Sequence, residues 1–408
     1  MLAEHHFMYP ESPPSFTHLR RLTDDTGLLE HAVGRIPRRR EGYTADDNAR
    51  ALWTVTEWLS RSPKELNVDD RTELLRLSDV YLAYLLWSQR ENGWLHNNYA
   101  YDRTPELEQL SHDCQGRSIW ACVDAWIRLD GPSRDTARII VERAMPTLSQ
   151  IDSHRGQAYT MAACAHLLGA SEQGLIALPE SMYVHCKQQL VRLEQLLNDA
   201  FNHFTDDNWR WFEPAMTYGN GVLPWAMLRT FRYTTRSDTL HTGLLSLSFL
   251  LKVMTADEGW LRPIGNECWY TSERTSRWDQ QPLEMFKLAL ALNEAIQALQ
   301  EMQPVHSLAS VKSKAITHIA GYTNGHPRST GFEASVSGTT LYTDVSQYRT
   351  QLTLCRSWYY GNNDLGMPMI DSFDGSCCDG LTQNGPNINC GAEATLSYLM
   401  TEALSRPR

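Results

Sequence analysis

Apolar residues recur with helical spacing along most of this 408-residue chain. One stripe contains Leu74, Leu77 and Tyr81, and another contains Ile119 and Trp126. Because side chains three and four positions apart share a helix face, each stripe predicts an amphipathic helix. Further helices are predicted near 16–33 and 49–59, over 137–148, 157–168, 184–201, 222–231, 239–254, 282–299, 305–319 and 392–404, and just before Trp358. We therefore predict an all-α protein, with short strands confined to loops such as 338–343.

The connections between these helices are of two kinds. Short ones include 130–133 and 169–174, whereas long ones cover 91–115, 202–221, 257–281 and 359–391. Alternating short and long connections favour helical hairpins arranged in a ring, with the long loops on one face. The predicted fold is an (α/α)6 toroid, a six-hairpin barrel. We predict a single domain over 1–408, with 1–15 as an extended N-terminal segment.

Composition argues against several classes of partner. The formal net charge of −11 disfavours nucleic acid and anionic membrane surfaces. The sequence has neither an apolar run long enough to span a bilayer nor a signal-peptide pattern. Its nine cysteines include no CxxC pair, which indicates reduced thiols and a cytoplasmic protein. Motifs for a metal or a nucleotide are also lacking, so we expect no cofactor and no metal. The sequence does not indicate the oligomeric state.

Two adjacent carboxylates, Asp46 and Asp47, open the helix near 49–59. Carboxylates in a first helical turn are favoured by the unpaired N–H groups and the positive end of the helix dipole. One acid suffices for that purpose. Here Tyr43, Asn48 and Arg50 complete a polar cluster of the kind that holds a polyhydroxylated ligand. The alternative is a helix cap with a surface ion pair.

The long loops combine aromatic rings with acids and amides. Thirteen tryptophans are present, and several lie in or beside these loops. The hydrophobic faces of sugar rings pack on aromatic rings, while sugar hydroxyls bind carboxylates, amides and arginines. We expect a small-molecule carbohydrate as the partner. The predicted binding residues are Tyr43, Asp46, Asn48, Arg50, Trp94, Arg117, Trp209, Glu213, Tyr218, Asn220, Trp269, Gln280, Asn362, Asn363, Asp364 and Glu393. Each of them has the alternative of a purely structural role in the core or in a cap.

Several segments resemble a bacterial family of glycosidase-like proteins, and the resemblance covers nearly the whole chain. The matching segments are 23–32, 42–52, 113–120, 279–284 and 361–366 with 389–396. Members occur alone or at the C-terminus of glycosyltransferase-like proteins, often beside β-mannoside phosphorylases. The resemblance implies an (α/α)6 toroid like that of many glycosidases and of N-acylglucosamine epimerases. Segment 211–224 is also similar to a recurrent piece of such toroids, although Pro214 and Gly219 depart from its pattern.

Three functions follow as hypotheses. The first is an inverting glycoside hydrolase on short oligosaccharides, with mannosides among the candidate substrates. Cleavage of a glycosidic bond uses two carboxyl groups, and we predict Asp47 and Asp279 for these roles, with Asp113 in reserve. The second is a sugar epimerase or isomerase that uses histidines, with His31, His112 and His241 as candidates. The third is a carbohydrate-binding protein without catalysis.

Overall fold

The computed structural model describes residue 10 and residues 12–62, 64–302, 335–336, 339–340 and 344–407. Its α-helices, in chain order, are α1 Thr17–Leu22, α2 Ala45–Leu59, α3 Val68–Ser88, α4 His112–Arg128, α5 Gly131–Ala144, α6 His154–Glu172, α7 Glu180–Phe204, α8 Val222–Thr234, α9 Ser237–Met254, α10 Pro282–Glu301, α11 Val345–Tyr359 and α12 Ala392–Ser405. A 3-10 helix, Met145–Gln150, follows α5. The strands are β1 Leu29–Val33, β2 Ile36–Thr44, β3 Asn98–Tyr99, β4 Ser335–Val336, β5 Thr339–Thr340, β6 Ile370–Asp371, β7 Ser376–Cys377, β8 Leu381–Thr382 and β9 Gly385–Pro386.

The helices form two concentric rings, as predicted. The inner ring consists of α2, α4, α6, α8, α10 and α12, each packed on the next, and α12 packs on α2 to close it. Helices α3, α5, α7, α9 and α11 pack outside, each against an inner helix. The long connections precede α4, α8, α10 and α12, so they gather at the N-terminal ends of the inner helices.

Aromatic rings fill the centre of the inner ring. Five successive inner helices each contribute one ring, namely Trp53, Trp120, Tyr159, Trp225 and Phe286. The ring of Trp53 lies 5.6 Å from that of Trp120, 5.8 Å from that of Trp225 and 5.5 Å from that of Phe286. Because large aromatic side chains bury much apolar surface, this cluster stabilises the packing of these five inner helices against one another.

The opposite end of the ring, at the C-termini of the inner helices, carries paired charges. Arg128 bonds Glu57 (2.8 Å) and Asp124 (3.0 Å), and Arg232 bonds Glu294 (2.6 Å). All three carboxylates are nearly buried. Each therefore has a guanidinium partner within the protein, as buried charges require.

The prediction of a helix near 16–33 is wrong beyond its first turns. Helix α1 ends at Leu22, because the Asp24 carboxylate then accepts hydrogen bonds from the main-chain N–H groups of Thr26 (2.8 Å) and Gly27 (3.2 Å). Such a local bond stabilises a turn in competition with the helix. The chain continues into an antiparallel hairpin, in which β1 pairs with β2 and β2 with β3. The predicted helix over 305–319, and part of the predicted N-terminal segment 1–15, lie outside the described residues.

Two further sequence expectations concern the same regions. All nine cysteines lie in described parts of the chain, and none of them forms a disulfide. In the described parts of the chain, the helices are too short or too polar to cross a membrane.

A lysine lies among the central aromatic rings. Lys287 on α10 is 1% exposed, and its Nζ lies 3.9 Å from the ring centre of Phe286 and 5.0 Å from that of Trp53. Within the described residues, the Nζ has no hydrogen-bond partner. Burial, and then the positive charges of Arg117 and Arg50, lower the pKa of this amine well below its ordinary value. The folded protein therefore holds Lys287 in a state that costs free energy.

We expect Lys287→Met to raise the free energy of unfolding by about 1–3 kcal/mol near neutral pH, because it removes an unpaired buried polar group. The lowered pKa makes the unfolded wild-type chain bind more protons, so wild-type stability rises with pH up to the ordinary lysine pKa of about 10.4. The gain from methionine should therefore shrink as the pH rises. Urea denaturation across this range measures both effects. Lys252→Met, at an exposed position of α9, is the control and should change stability little. Equal effects of the two substitutions would contradict the prediction.

Candidate active site

The N-terminal ends of the inner helices surround two adjoining cavities. The first, here called the Asp47 cavity, has a volume of about 290 Å³ and is lined by Glu30, His31, Thr44, Asp46, Asp47, Arg50, Asn97, Asn98, Gln281, Asp379 and Glu393. The second, called the Asp113 cavity, has a volume of about 320 Å³ and is lined by Asp46, Arg50, Asn97, Ser111, Asp113, Arg117, Tyr218, Asn266, Trp269, Gln281, Leu283 and Glu393. The shared residues make one continuous cleft.

Helix capping explains why carboxylates concentrate here. Thr44 is the N-cap of α2, and its side chain accepts a hydrogen bond from the Asp47 N–H (3.1 Å). Ser111 caps α4 in the same way, and Glu393 lies in the first turn of α12. The positive ends of several helix dipoles therefore face the cleft and favour negative charge within it.

Arg50 connects the carboxylates of the cleft. Its guanidinium contacts Asp47 Oδ1 (2.6 Å), Asp46 Oδ2 (2.9 Å) and Glu393 Oε2 (2.7 Å). Arg117, from α4, forms a second ion pair with Asp46. Residues of α2, α4 and α12 are thus held together by charge-assisted contacts, which fix the positions of their carboxylates.

Two carboxyl groups in the Asp47 cavity have strongly raised pKa values. Burial raises the pKa of Asp47 to about 7, since it outweighs the attraction of Arg50, and Glu30 and Glu393 add to the effect. Burial and the charge of Glu393 raise the pKa of Asp379 to about 6. Burial also raises the pKa of Glu30. Asp47 and Asp379 therefore change protonation near neutral pH, as acids and bases in catalysis must.

Asp124, at the opposite end of the ring, shows that burial alone does not produce this state. Burial acts to raise its pKa, but Arg128 and His166 outweigh that effect, so that the pKa of Asp124 lies below its ordinary value. At the other end of the ring, the charge of Arg128 compensates the burial of Asp124. In the cleft, several carboxyl groups share Arg50, and this single cation does not compensate the burial of Asp47. Perturbed carboxyl groups that line a cleft are typical of functional sites.

The Asp113 cavity brings together several of the predicted binding residues. The Tyr218 hydroxyl donates a hydrogen bond to Asp113 Oδ2 (2.5 Å), and Ser153 donates to Oδ1. The rings of Tyr218 and Trp269 lie 6.4 Å apart, and the Arg155 guanidinium lies 4.5 Å from the Tyr218 ring centre. This cavity thus places aromatic rings beside a carboxylate and Arg117, a combination that can pack on a sugar ring and bind its hydroxyls.

Other predicted residues use their polar groups inside the fold. Asp364 accepts hydrogen bonds from Arg262, Trp260 and Gln280, and Asn48 bonds the main chain of Leu28 and Thr44. The remaining ones make comparable internal contacts. Tyr43 bonds Asp24, Trp94 bonds Gln150, Trp209 bonds the Glu213 carbonyl, Glu213 bonds Arg155, Asn220 bonds Glu284, Asn362 bonds Ser357, and Asn363 bonds main-chain carbonyls. These contacts anchor the long loops.

The predicted acid Asp279 lies next to the Asp47 cavity. Its backbone has a positive φ of 58°. Its carboxylate packs against Gly380 so closely that a Cβ atom at that position would lie 2.5 Å from Asp279 Oδ1. Its charge is close enough to contribute to the raised pKa of Asp379. Of the predicted histidines, His31 lines the Asp47 cavity, His112 pairs with Asp152 (2.8 Å), and His241 lies on the outer helix α9.

Sequence reasoning missed Glu30 and Asp379 as site residues. Glu30 lies on β1, within the segment predicted as helix, so its neighbours in space were misplaced. Asp379 lies in the longest of the predicted loops, where no periodicity indicates the direction of a side chain. Among the described residues, no group of three or more histidine, cysteine, aspartate or glutamate side chains is arranged so that it could hold a metal ion.

Three solved structures with a similar fold are enzymes that act on carbohydrates. A cellobiose 2-epimerase from Bacillus thermoamylovorans is 10% identical over 96% of both chains, with a TM-score of 0.60. A D-mannose isomerase is 12% identical over 95% of this chain and 94% of its own, with a TM-score of 0.60. An α-1,6-mannanase from a Salegentibacter species is 11% identical over 95% of both chains, with a TM-score of 0.55. No protein-family model matches the sequence, and no curated protein matches it. At these identities the likeness establishes the fold, which is the (α/α)6 toroid.

Arg50→Met should lower the free energy of unfolding by about 3–5 kcal/mol at mildly alkaline pH, because it leaves three carboxylates without their shared cation. The charge of Arg50 lowers the pKa of Asp47, which is about 7 in the wild type, so the variant should have a higher Asp47 pKa. The folded variant then takes up a proton that the folded wild type does not, and the destabilisation should shrink as the pH falls toward about 7, as measured by denaturant unfolding at several pH values.

Arg76→Met provides the matched control for Arg50→Met. Arg76 pairs with Glu73 (2.7 Å) on the exposed face of α3, and its side chain is 52% exposed. Removing such a surface pair should cost less than about 1 kcal/mol. A loss for Arg50→Met that is equally small, or that does not depend on pH, would contradict the role given to Arg50.

Proposed function

We propose that this protein is a carbohydrate-active enzyme, an inverting glycoside hydrolase that acts on short oligosaccharides, with mannosides among its substrates. The observation that carries the proposal is the buried Asp47 carboxyl, whose pKa is raised to about 7, facing a cleft lined by further carboxylates. A general acid for glycoside cleavage must hold a proton near neutral pH, and burial is the usual means of achieving this.

In the proposed mechanism, Asp47 donates its proton to the glycosidic oxygen as the bond from the anomeric carbon to that oxygen breaks. Asp379 removes a proton from a water molecule, whose oxygen forms the new bond to the anomeric carbon. Inversion requires that the two carboxyl groups stand about 6.5–9.5 Å apart, with room for the water. Asp279 is the alternative base, and Asp113 contributes to binding through Tyr218.

One structural neighbour supports the involvement of the Asp-Asp pair. An α-1,6-mannanase from Salegentibacter was solved with mannotetraose as an inactive variant in which two consecutive aspartates are replaced by alanine. Asp46 and Asp47 are likewise consecutive, and both line the cleft. Asp46 pairs with both Arg50 and Arg117, whereas Asp47, among the residues that the structure describes, pairs with Arg50 alone and has a pKa of about 7, so we assign the role of proton donor to Asp47.

The second candidate function is a sugar epimerase or isomerase. It is favoured by His31, which lines the Asp47 cavity with its Nε2 3.6 Å from Glu30 Oε1. The cellobiose 2-epimerase and the D-mannose isomerase among the structural neighbours support it as well. Proton transfer by a histidine and a carboxylate is suited to such reactions. Interconversion of monosaccharides without hydrolysis would decide for this function, and saturable binding without turnover would decide for a binding protein.

The experiment that tests the proposal is a panel of manno-, gluco- and galacto-oligosaccharides, followed by NMR to identify the anomer released. We expect Asp47→Asn to lower kcat by about 10²–10⁴-fold, because the variant cannot donate a proton. In the wild type, activity should fall as the pH rises through about 7, when Asp47 loses its proton. This alkaline decrease should be absent from the residual activity of the variant.

The chain offers a matched control for Asp47→Asn in its second Asp-Asp-Asn sequence, residues 206–208. Asp207 holds the position that corresponds to Asp47 but is exposed in the loop before α8. Asp207→Asn should leave kcat and the pH profile unchanged. An Asp47→Asn variant with wild-type turnover would refute the role of Asp47, and a retained anomeric configuration in the product would refute inversion.

A further inference from the structure

The Asp47 cavity is bounded on one side by a continuous series of main-chain contacts. Strand β3 pairs with β2, and β2 pairs with β1. From the end of β1 the series continues into the loop before α12. There the Gly34 N–H donates to the Ile388 carbonyl (2.6 Å), and the Ala32 N–H donates to Asn389 Oδ1 (3.0 Å).

The same series then reaches α10. The Asp379 N–H donates to the Asn389 carbonyl (2.8 Å), and Leu381 and Gln280 exchange two main-chain hydrogen bonds (2.9 and 3.0 Å). The next residue, Gln281, is the N-cap of α10 and lines both cavities. Each part of this wall contributes lining side chains to the Asp47 cavity, namely Asn98, Thr44, Glu30, His31, Asp379 and Gln281.

The Asp113 cavity is bounded differently. Its aromatic side is formed by side chains, through the hydrogen bond from Tyr218 to Asp113 and the neighbouring ring of Trp269. Tyr218 is 39% exposed and Ser111 is also exposed, whereas each residue that lines the Asp47 cavity is buried or half-buried. The cleft is therefore more enclosed at the Asp47 end and more exposed at the Asp113 end.

We infer that the site acts on the end of a sugar chain, taking one terminal residue into the Asp47 cavity while the rest of the chain leaves across the Asp113 cavity. The volume of about 290 Å³ lies at the lower limit of small-molecule sites, which start near 300 Å³. That space suits a single sugar ring. A wall held by main-chain hydrogen bonds does not open by rotation of a side chain, so an internal segment of a polymer cannot cross it. The inference rests on the proposed glycosidase function and narrows its substrates to chain ends.

The bond that is cleaved then lies where the two cavities meet, beside Asp46, Arg50 and Glu393, which line both. Asp47 supplies the proton to the leaving oxygen, and the water adds to the anomeric carbon, so that each event consumes one water and releases one monosaccharide. Trp269 and Tyr218 contact the part of the chain beyond this bond. Their removal should therefore weaken binding of longer chains without changing which bond is cut.

The test is a time course with linear oligosaccharides of two to five residues, from the sugar that the wild-type protein hydrolyses, with products separated by chromatography. The expected first products from a tetrasaccharide are a monosaccharide and a trisaccharide. Viscosity of the corresponding polymer should fall far more slowly than reducing ends appear. A disaccharide as the first product, or a rapid loss of viscosity, would overturn the inference while leaving the glycosidase function intact. Failure to hydrolyse any member of the panel would refute the proposed function and this inference with it.

A variant provides a second measurement. Trp269→Ala should raise KM for the tetrasaccharide by about fivefold, in line with the loss of one aromatic contact, with the monosaccharide still the first product. Phe373→Ala, at a position that is 81% exposed outside the lining of both cavities, is the control and should leave KM unchanged. A switch of Trp269→Ala to internal cleavage would contradict the assignment of the more enclosed end.

Discussion

The site depends above all on the guanidinium of Arg50. It lies where the first and last inner helices meet, and it joins Asp46 and Asp47 of α2 to Glu393 of α12. The same guanidinium therefore links the two ends of the ring and holds the carboxylates in place. A buried cation with three carboxylate neighbours compensates only part of their desolvation, which is why the pKa of Asp47 stays raised.

The toroid uses its two ends in different ways. At the C-terminal end of the inner helices, buried carboxylates such as Asp124 and Glu294 are matched by arginines, and their pKa values are lowered. At the N-terminal end, helix dipoles and a small number of arginines hold a larger group of acids, two of which titrate near neutral pH. The central aromatic cluster separates the two ends, so each keeps its own electrostatic character.

Within the long loops, some side chains line the cleft and others anchor the loop to the rest of the fold. Tyr218 and Trp269 line the cleft. Trp209 instead stacks on Tyr270 with 5.7 Å between the ring centres, and Asp364 accepts hydrogen bonds from Arg262 and neighbouring side chains. In sequence the two groups look alike, because both place a tryptophan or an acid among amides and glycines. Only the partner that each side chain meets in space separates recognition from anchoring.

Sequence patterns predicted correctly those features that depend on residues close together in the chain. Apolar spacing identified the inner helices, and alternating loop lengths identified the ring, since a helix must bury its apolar face wherever it lies. Capping identified Asp46 and Asp47, because residues next to one another in the chain are also neighbours in space. Prediction failed at Glu30 and Asp379, whose positions depend on a hairpin and a loop joined by bonds between residues hundreds of positions apart.

The sequence by itself thus determined the helical ring, the end at which its loops gather, and the acidic opening of α2. These features follow from the periodicity and chemistry of contiguous residues. The tertiary structure alone decided which acids share the cleft, which of them are desolvated enough to titrate near neutral pH, and which end of the cleft is more enclosed. Those properties depend on burial and on distances between separate segments, and no pattern within one segment contains that information.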